Sequence, residues 1–130
     1  MIPKYRAWDK EFKEMVQVDA LVFEEQIIKA TYKNGNIVKE DFKNYVLMQS
    51  TGMLDKNERE IFEGDILKVT NLSSWLEVVS FNEDKAMFVS KETKRKVEET
   101  PLYDLFNTDI FEVEIIGNIH TNPELAEVKQ

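Results

Sequence analysis

Apolar and polar residues alternate with a period of two along most of the chain, which is the pattern of strands with one covered face. Lys4 to Trp8 predicts a first strand with Tyr5 and Ala7 on one face and Trp8 on the other. Asp9-Lys10-Glu11 reads as a turn, after which Met15 to Val18 returns as a second strand. A Trp at a strand end anchors a core edge, and Trp8 is assigned that structural role. Leu21 to Tyr32 fits either a short helix or a strand, but Asn34-Gly35 tips the balance. Asn and Gly accept the positive φ angles of a type I′ turn, so Ile27 to Tyr32 and Ile37 to Val38 are read as hairpin arms. Asp41, before Phe42, begins either one helical turn or the next strand.

The central segment is the most informative. Tyr45 to Gln49 predicts a strand that Ser50-Thr51-Gly52 breaks or bends. Leu54 to Glu58 is a polar turn in which Asp55 and Asn57 can satisfy local backbone donors. Ile66 to Val69 is a firm strand after Glu63-Gly64-Asp65. Gly64 supplies a conformation or close approach that a side chain would block, and Asp65 holds the bend by accepting backbone hydrogen bonds. Such kinks are what a small curled barrel needs to close.

Trp75 to Phe81 and Ala86 to Val89 predict a hairpin across Asn82 to Lys85, and Lys91 to Glu99 an exposed, charge-dense connection. Thr100-Pro101 has the form of a helix start, with Thr as N-cap and Pro in the first turn. Leu102, Leu105 and Phe106 would face the core from that helix. Phe111 to Ile116 is a last strand interrupted at Gly117-Asn118, and a short helical or frayed tail is expected from Asn122-Pro123 onward.

These elements predict an all-β (mainly β) chain with one or two short helices. Its 130 residues form a single domain, within which residues 1–45 could make a smaller lobe. Composition changes little in this picture, but it removes whole classes of chemistry. The absence of Cys excludes disulfides and thiolate sites, and the lone His120 cannot assemble zinc of the usual kind. The net charge of −8, from 17 basic and 25 acidic side chains, repels phosphate backbones and makes nucleic acid an unfavourable partner. No apolar run of signal-peptide or membrane-spanning character is present, so a cytoplasmic protein is expected.

Candidate chemistry is sparse. Glu63 and Asp65 stand two apart and could in principle hold a hard cation, but a backbone role explains them better. Asp55-Lys56-Asn57 begins like a calcium loop and then fails, because Arg59 and Glu60 occupy positions that need an oxygen ligand and a glycine. No Gly-rich phosphate cradle precedes a helix. No catalytic residue, cofactor or metal ligand is therefore assigned. Trp75 and Phe81 are the candidate interaction surface, and the structural positions are Trp8, Asp55, Asn57, Gly64, Asp65, Gly117 and Asn118.

Four stretches together resemble the YopX family: Tyr5-Arg6-Ala7-Trp8-Asp9, Leu47 to Asn57, Ile61 to Ile66, and Ile116 to Leu125. Their order and spacing run through nearly the whole chain, with residues 71–108 the least distinctive. The resemblance implies an SH3-like barrel with an N-terminal β extension and an origin in bacteriophages or prophages of low-GC bacteria. It implies no agreed activity, cofactor or catalytic residue. One departure stands out: Glu58-Arg59 occupies a turn where relatives carry Gly. Three functions follow. The first is a non-enzymatic accessory protein working through protein contacts, with a second copy of itself or with a phage or host protein. The second is a nucleic-acid-associated factor, in which Lys91 to Lys96 would join Lys4, Arg6 or Lys10. The third is a carboxylate-based hydrolase.

Overall fold

The computed structural model describes residues 4–127; the segments 1–3 of the opening and 128–130 of the tail read above lie outside them. The strands are β1 (Tyr5–Asp9), β2 (Glu14–Val22), β3 (Ile27–Thr31), β4 (Ile37–Asp41), β5 (Tyr45–Leu54), β6 (Glu60–Phe62), β7 (Asp65–Asn71), β8 (Ser73–Asn82), β9 (Met87–Glu92), β10 (Thr100–Pro101) and β11 (Glu112–Asn118). They form two sheets, in the orders β4-β3-β2-β1-β5-β6 and β10-β9-β8-β7-β11. The chain divides into two compact units at Ser50/Thr51, inside β5.

In the first unit β1 to β4 form an antiparallel meander, and β5 returns to pair with β1. Alternation places Ala7 opposite Val16 and Leu47, and these join Ile28, Ala30 and Tyr45 in a buried cluster. The β3–β4 hairpin forms, but its turn is not type I′. Gly35 N–H donates to Tyr32 O, Tyr32 N–H to Asn36 O, and only Gly35 of the loop has positive φ (+90°). This is a three-residue loop, a type I turn closed by a glycine bulge, with Asn34 Oδ1 accepting from Asn36 N–H rather than entering the left-handed region. Asp41 caps a 3-10 turn over Phe42–Asn44 by accepting from Lys43 N–H.

The second unit packs Leu67, Val69, Val79 and Val113 of its sheet under Leu102 and Leu105, with Ile61 completing the core. Strand β5 is not broken at Ser50-Thr51-Gly52. It runs on to Leu54, with Gly52 at φ +79° and the Thr51 hydroxyl donating to Ile61 O, so the bend is absorbed within the strand. Likewise Gly117-Asn118 continues β11 through a bulge between Ile115 and Gly117. Thr100 does not cap a helix. It and Pro101 pair with Ser90 and Val89 as β10, and the 3-10 turn Leu102–Leu105 begins after Pro101 without a side-chain cap.

The expected SH3-like barrel is absent. Both sheets are open, and the short helices are 3-10 turns, among the described residues, at Phe42–Asn44, Leu102–Leu105 and Pro123–Leu125. The second sheet shows why closure fails. Its edge strand β10 is two residues long and contains Pro101, which has no N–H to donate. The opposite edge, β11, is already occupied by a turn: Lys56 N–H donates to Val113 O, Ile115 N–H to Asp55 Oδ2, and Arg59 Nη2 to Ile115 O. A strand whose outward groups are bonded to a polar turn has nothing left to pair with.

Candidate contact surface

The buried carboxylates serve the backbone. Asp55, whose side chain has no solvent exposure, accepts from Asn57 N–H and Arg59 N–H at 2.9 Å through Oδ1. Its Oδ2 accepts from Ile115 N–H at 3.0 Å and Arg59 Nη2 at 3.1 Å. Burial works against ionisation here, but the hydrogen bonds from Ile115, Arg59 and Asn57 outweigh it, and the carboxyl lies below the usual aspartate range. Asn57 contributes a donor to this arrangement, and its side chain reaches Glu114 at 3.5 Å. Glu58 adopts φ +61°, a left-handed conformation held at some strain.

Asp65, 1% exposed, accepts from Phe62 N–H at 2.8 Å. Gly64 has φ +86°; its N–H donates to Val79 O and its carbonyl accepts from Ile119 N–H. Asn118 Oδ1 accepts from His120 N–H and Thr121 N–H, while a Cβ on Gly117 would stand 2.3 Å from Asn122 Oδ1. Asp55 stands in a turn of its own, whereas the Gly64-Asp65 bend lies against the Asn118 turn that carries His120, and among the described residues no three His, Asp or Glu side chains are placed to hold a metal ion.

Trp8 lies on the face of β1 opposite Ala7 and Asp9 and is half-buried between Met15 and Val46 in register. Trp75 is half-buried, stands edge-on to Phe111 at 6.1 Å, and donates its indole N–H to Glu77 Oε2 at 2.8 Å. Glu77 also accepts from Ser90 Oγ at 2.6 Å. Phe81 is partly exposed and stands edge-on to Phe88 at 5.1 Å. Strand alternation alone could not show that Trp75 is mostly committed inward.

Three features escaped the sequence. Leu72 sits alone between β7 and β8, at φ +64° and fully exposed. Its only signal was the turn composition of Asn71, Ser73 and Ser74 around it. Thr93 is buried at the end of β9, inside the stretch read as an exposed connection. In the first unit Asp9, Tyr32, Tyr45 and Glu40 form a hydrogen-bonded chain: Tyr32 Oη donates to Asp9 Oδ2 at 2.5 Å, meets Tyr45 Oη at 2.6 Å, and Tyr45 Oη donates to Glu40 Oε2 at 2.8 Å. Burial, chiefly, pushes both phenols up, Tyr45 to about 12 and Tyr32 further. Asp9 is 23 residues from Tyr32, and Tyr32 is 13 from Tyr45, so no local pattern could mark the chain.

The described residues thus form two open antiparallel sheets whose bends are held by the buried Asp55 and Asp65. The sequence profile of the YopX protein family matches residues 4–127, and the chain belongs to that family. It is similar to protein EF1440 from Enterococcus faecalis, known from a crystal structure, with 28% identity and a TM-score of 0.66. The match covers 98% of this chain and 99% of that one. No curated protein matches the sequence. Among the described residues, no helix is long and apolar enough to cross a membrane.

Proposed function

We propose that this YopX-family chain is a non-enzymatic accessory protein of a phage or prophage that works in the host cytoplasm through protein contacts. The observation that carries the reading is Leu72. A branched aliphatic residue at positive φ costs about 1 kcal/mol relative to a residue suited to that region. Leu72 recovers none of this inside the chain, because its side chain is fully exposed. Gly or Asn would make a more stable turn. An apolar side chain held at a turn tip against conformational preference is a contact residue for another molecule.

The test is affinity capture from phage-infected host cells with tagged wild-type chain and with Leu72→Asn, followed by binding of each captured protein in purified form. Light scattering on the purified chain reads self-association in the same experiment. Burying a Leu side chain contributes roughly 1.5–3 kcal/mol, so the variant should bind at least about tenfold more weakly. A partner whose affinity is unchanged by Leu72→Asn, or no partner beyond those the variant also captures, refutes the reading.

A further inference from the structure

We propose that the cavity beside Thr93 receives the carboxylate of an acidic side chain from a protein partner, an inference that deepens the protein-contact reading and rests on it. The cavity has a volume of about 330 Å³ and is lined by Lys68, Ser74, Trp75, Leu76, Glu92, Thr93 and Lys94. Its floor is set by the sheet register. Lys68 of β7 pairs with Leu76 of β8, and Thr93 N–H donates to Leu76 O at 3.0 Å. Directly paired residues share a face, so the Lys68 ammonium stands beside the Leu76 side chain, and Thr93, one residue beyond β9, is tied to Leu76 by its backbone.

Thr93 points to a ligand. The residue is only 3% exposed, and its Oγ1 has no hydrogen-bond partner among the described residues. A buried hydroxyl without a partner is costly, and here it lines a space large enough to admit one. The charges select the ligand. Glu92 is compensated by Arg95 at 3.1 Å, and Glu114, which lies opposite Lys68 in register, is within 3.9 Å of Lys56. Neither Lys68 nor Lys94 forms an ion pair among the described residues.

Two free ammonium groups, one free hydroxyl and the apolar walls of Trp75 and Leu76 match a carboxylate carried on a short methylene stem. They do not match a polyphosphate: no arginine fork is free and no row of backbone N–H groups lines the space. The overall charge of −8 opposes an extended polyanion far more than a single acidic side chain. Leu72 lies at the same end of the β7–β8 hairpin, two residues from Ser74, so one partner can reach both.

The experiment titrates the full chain with a short blocked peptide of Glu, Leu and Gly, with its Gln counterpart, and with oligothymidylate, reading anisotropy and the amide spectrum. The Glu peptide should bind, weaken with added salt and shift the Thr93 amide and the Trp75 indole signals. Lys68→Ala and Lys94→Ala should each weaken it by about fivefold to tenfold. Thr93→Val is diagnostic because its two effects have opposite signs: it removes an unpartnered hydroxyl and raises the denaturation midpoint, yet weakens the peptide. Glu and Gln peptides of equal affinity, peptide binding unaffected by Thr93→Val, or tighter oligothymidylate binding through the same lysines overturns the proposal. Such a failure with Leu72-dependent capture intact removes the cavity assignment alone; loss of Leu72 dependence while the Glu peptide still binds removes the turn-tip reading instead.

Discussion

Asp55→Asn separates the backbone role of Asp55 from any role on the surface, because the substitution preserves shape while changing one acceptor into a donor. Asn can keep Oδ1 in place for Asn57 N–H and Arg59 N–H, but these bonds weaken once the acceptor is neutral. Its amide nitrogen then faces Ile115 N–H, donor against donor, in a site with no solvent. That mismatch costs about 1–3 kcal/mol. The Arg59 guanidinium is half-exposed, so the loss of its ion pair adds less than about 1 kcal/mol. With the two weakened bonds the whole change is about 3 kcal/mol, a large part of the 5–15 kcal/mol that holds a typical domain.

The assay is urea unfolding followed by Trp75 fluorescence in a Trp8→Phe background, so that emission comes from the second unit alone. Acid provides an independent check. The folded carboxyl has a lowered pKa. Its contribution is therefore fully present above the unfolded value, near 3.9, and is lost as pH falls through the folded value below that. The wild-type chain should lose stability steeply in that acid range, and Asp55→Asn should have a flatter acid limb. A cost below about 1 kcal/mol, or an acid limb identical to wild type, would show that the turn does not depend on this carboxylate.

Leu72→Gly should stabilise the isolated chain by about 0.5–1 kcal/mol in urea unfolding, since it relieves a left-handed Leu; a loss of stability would mean that Leu72 packs internally. Gly117→Ala should destabilise by about 1–2 kcal/mol, because the new Cβ displaces Asn122 from the Asn118 N–H. The cost should shrink in an Asn122→Ala background, where the obstruction is gone, as a double-mutant cycle would measure. Phenolate absorbance should show Tyr45 resisting ionisation until about pH 12. The raised value means its contribution to stability is complete below the unfolded pKa near 10 and is lost as pH climbs to about 12. Tyr45→Phe should reduce that alkaline limb and leave the part that the raised Tyr32 phenol contributes.

The sequence by itself determined the elements whose cause is local. Alternation put Ala7 and Trp8 on opposite faces of β1, Asn34-Gly35 turned the β3–β4 hairpin, and Asp55 and Asp65 marked bends in which their carboxylates accept backbone hydrogen bonds. Each depends on backbone preferences and donors within a few residues. What tertiary structure decided was every outcome that needed a distant partner. Gly52 and Gly117 bent strands without ending them because neighbouring strands kept the ladder intact. The barrel expected from the family resemblance gave way because the Asp55–Arg59 turn, some 56–60 residues earlier in the chain, takes up the outward groups of β11. Only the fold could reveal that Thr93 is buried beside two uncompensated lysines, or that Leu72 stands alone at a turn tip. Hydrophobic period reports which way a side chain faces; whether it then finds a partner is settled by strands that meet across the sheet.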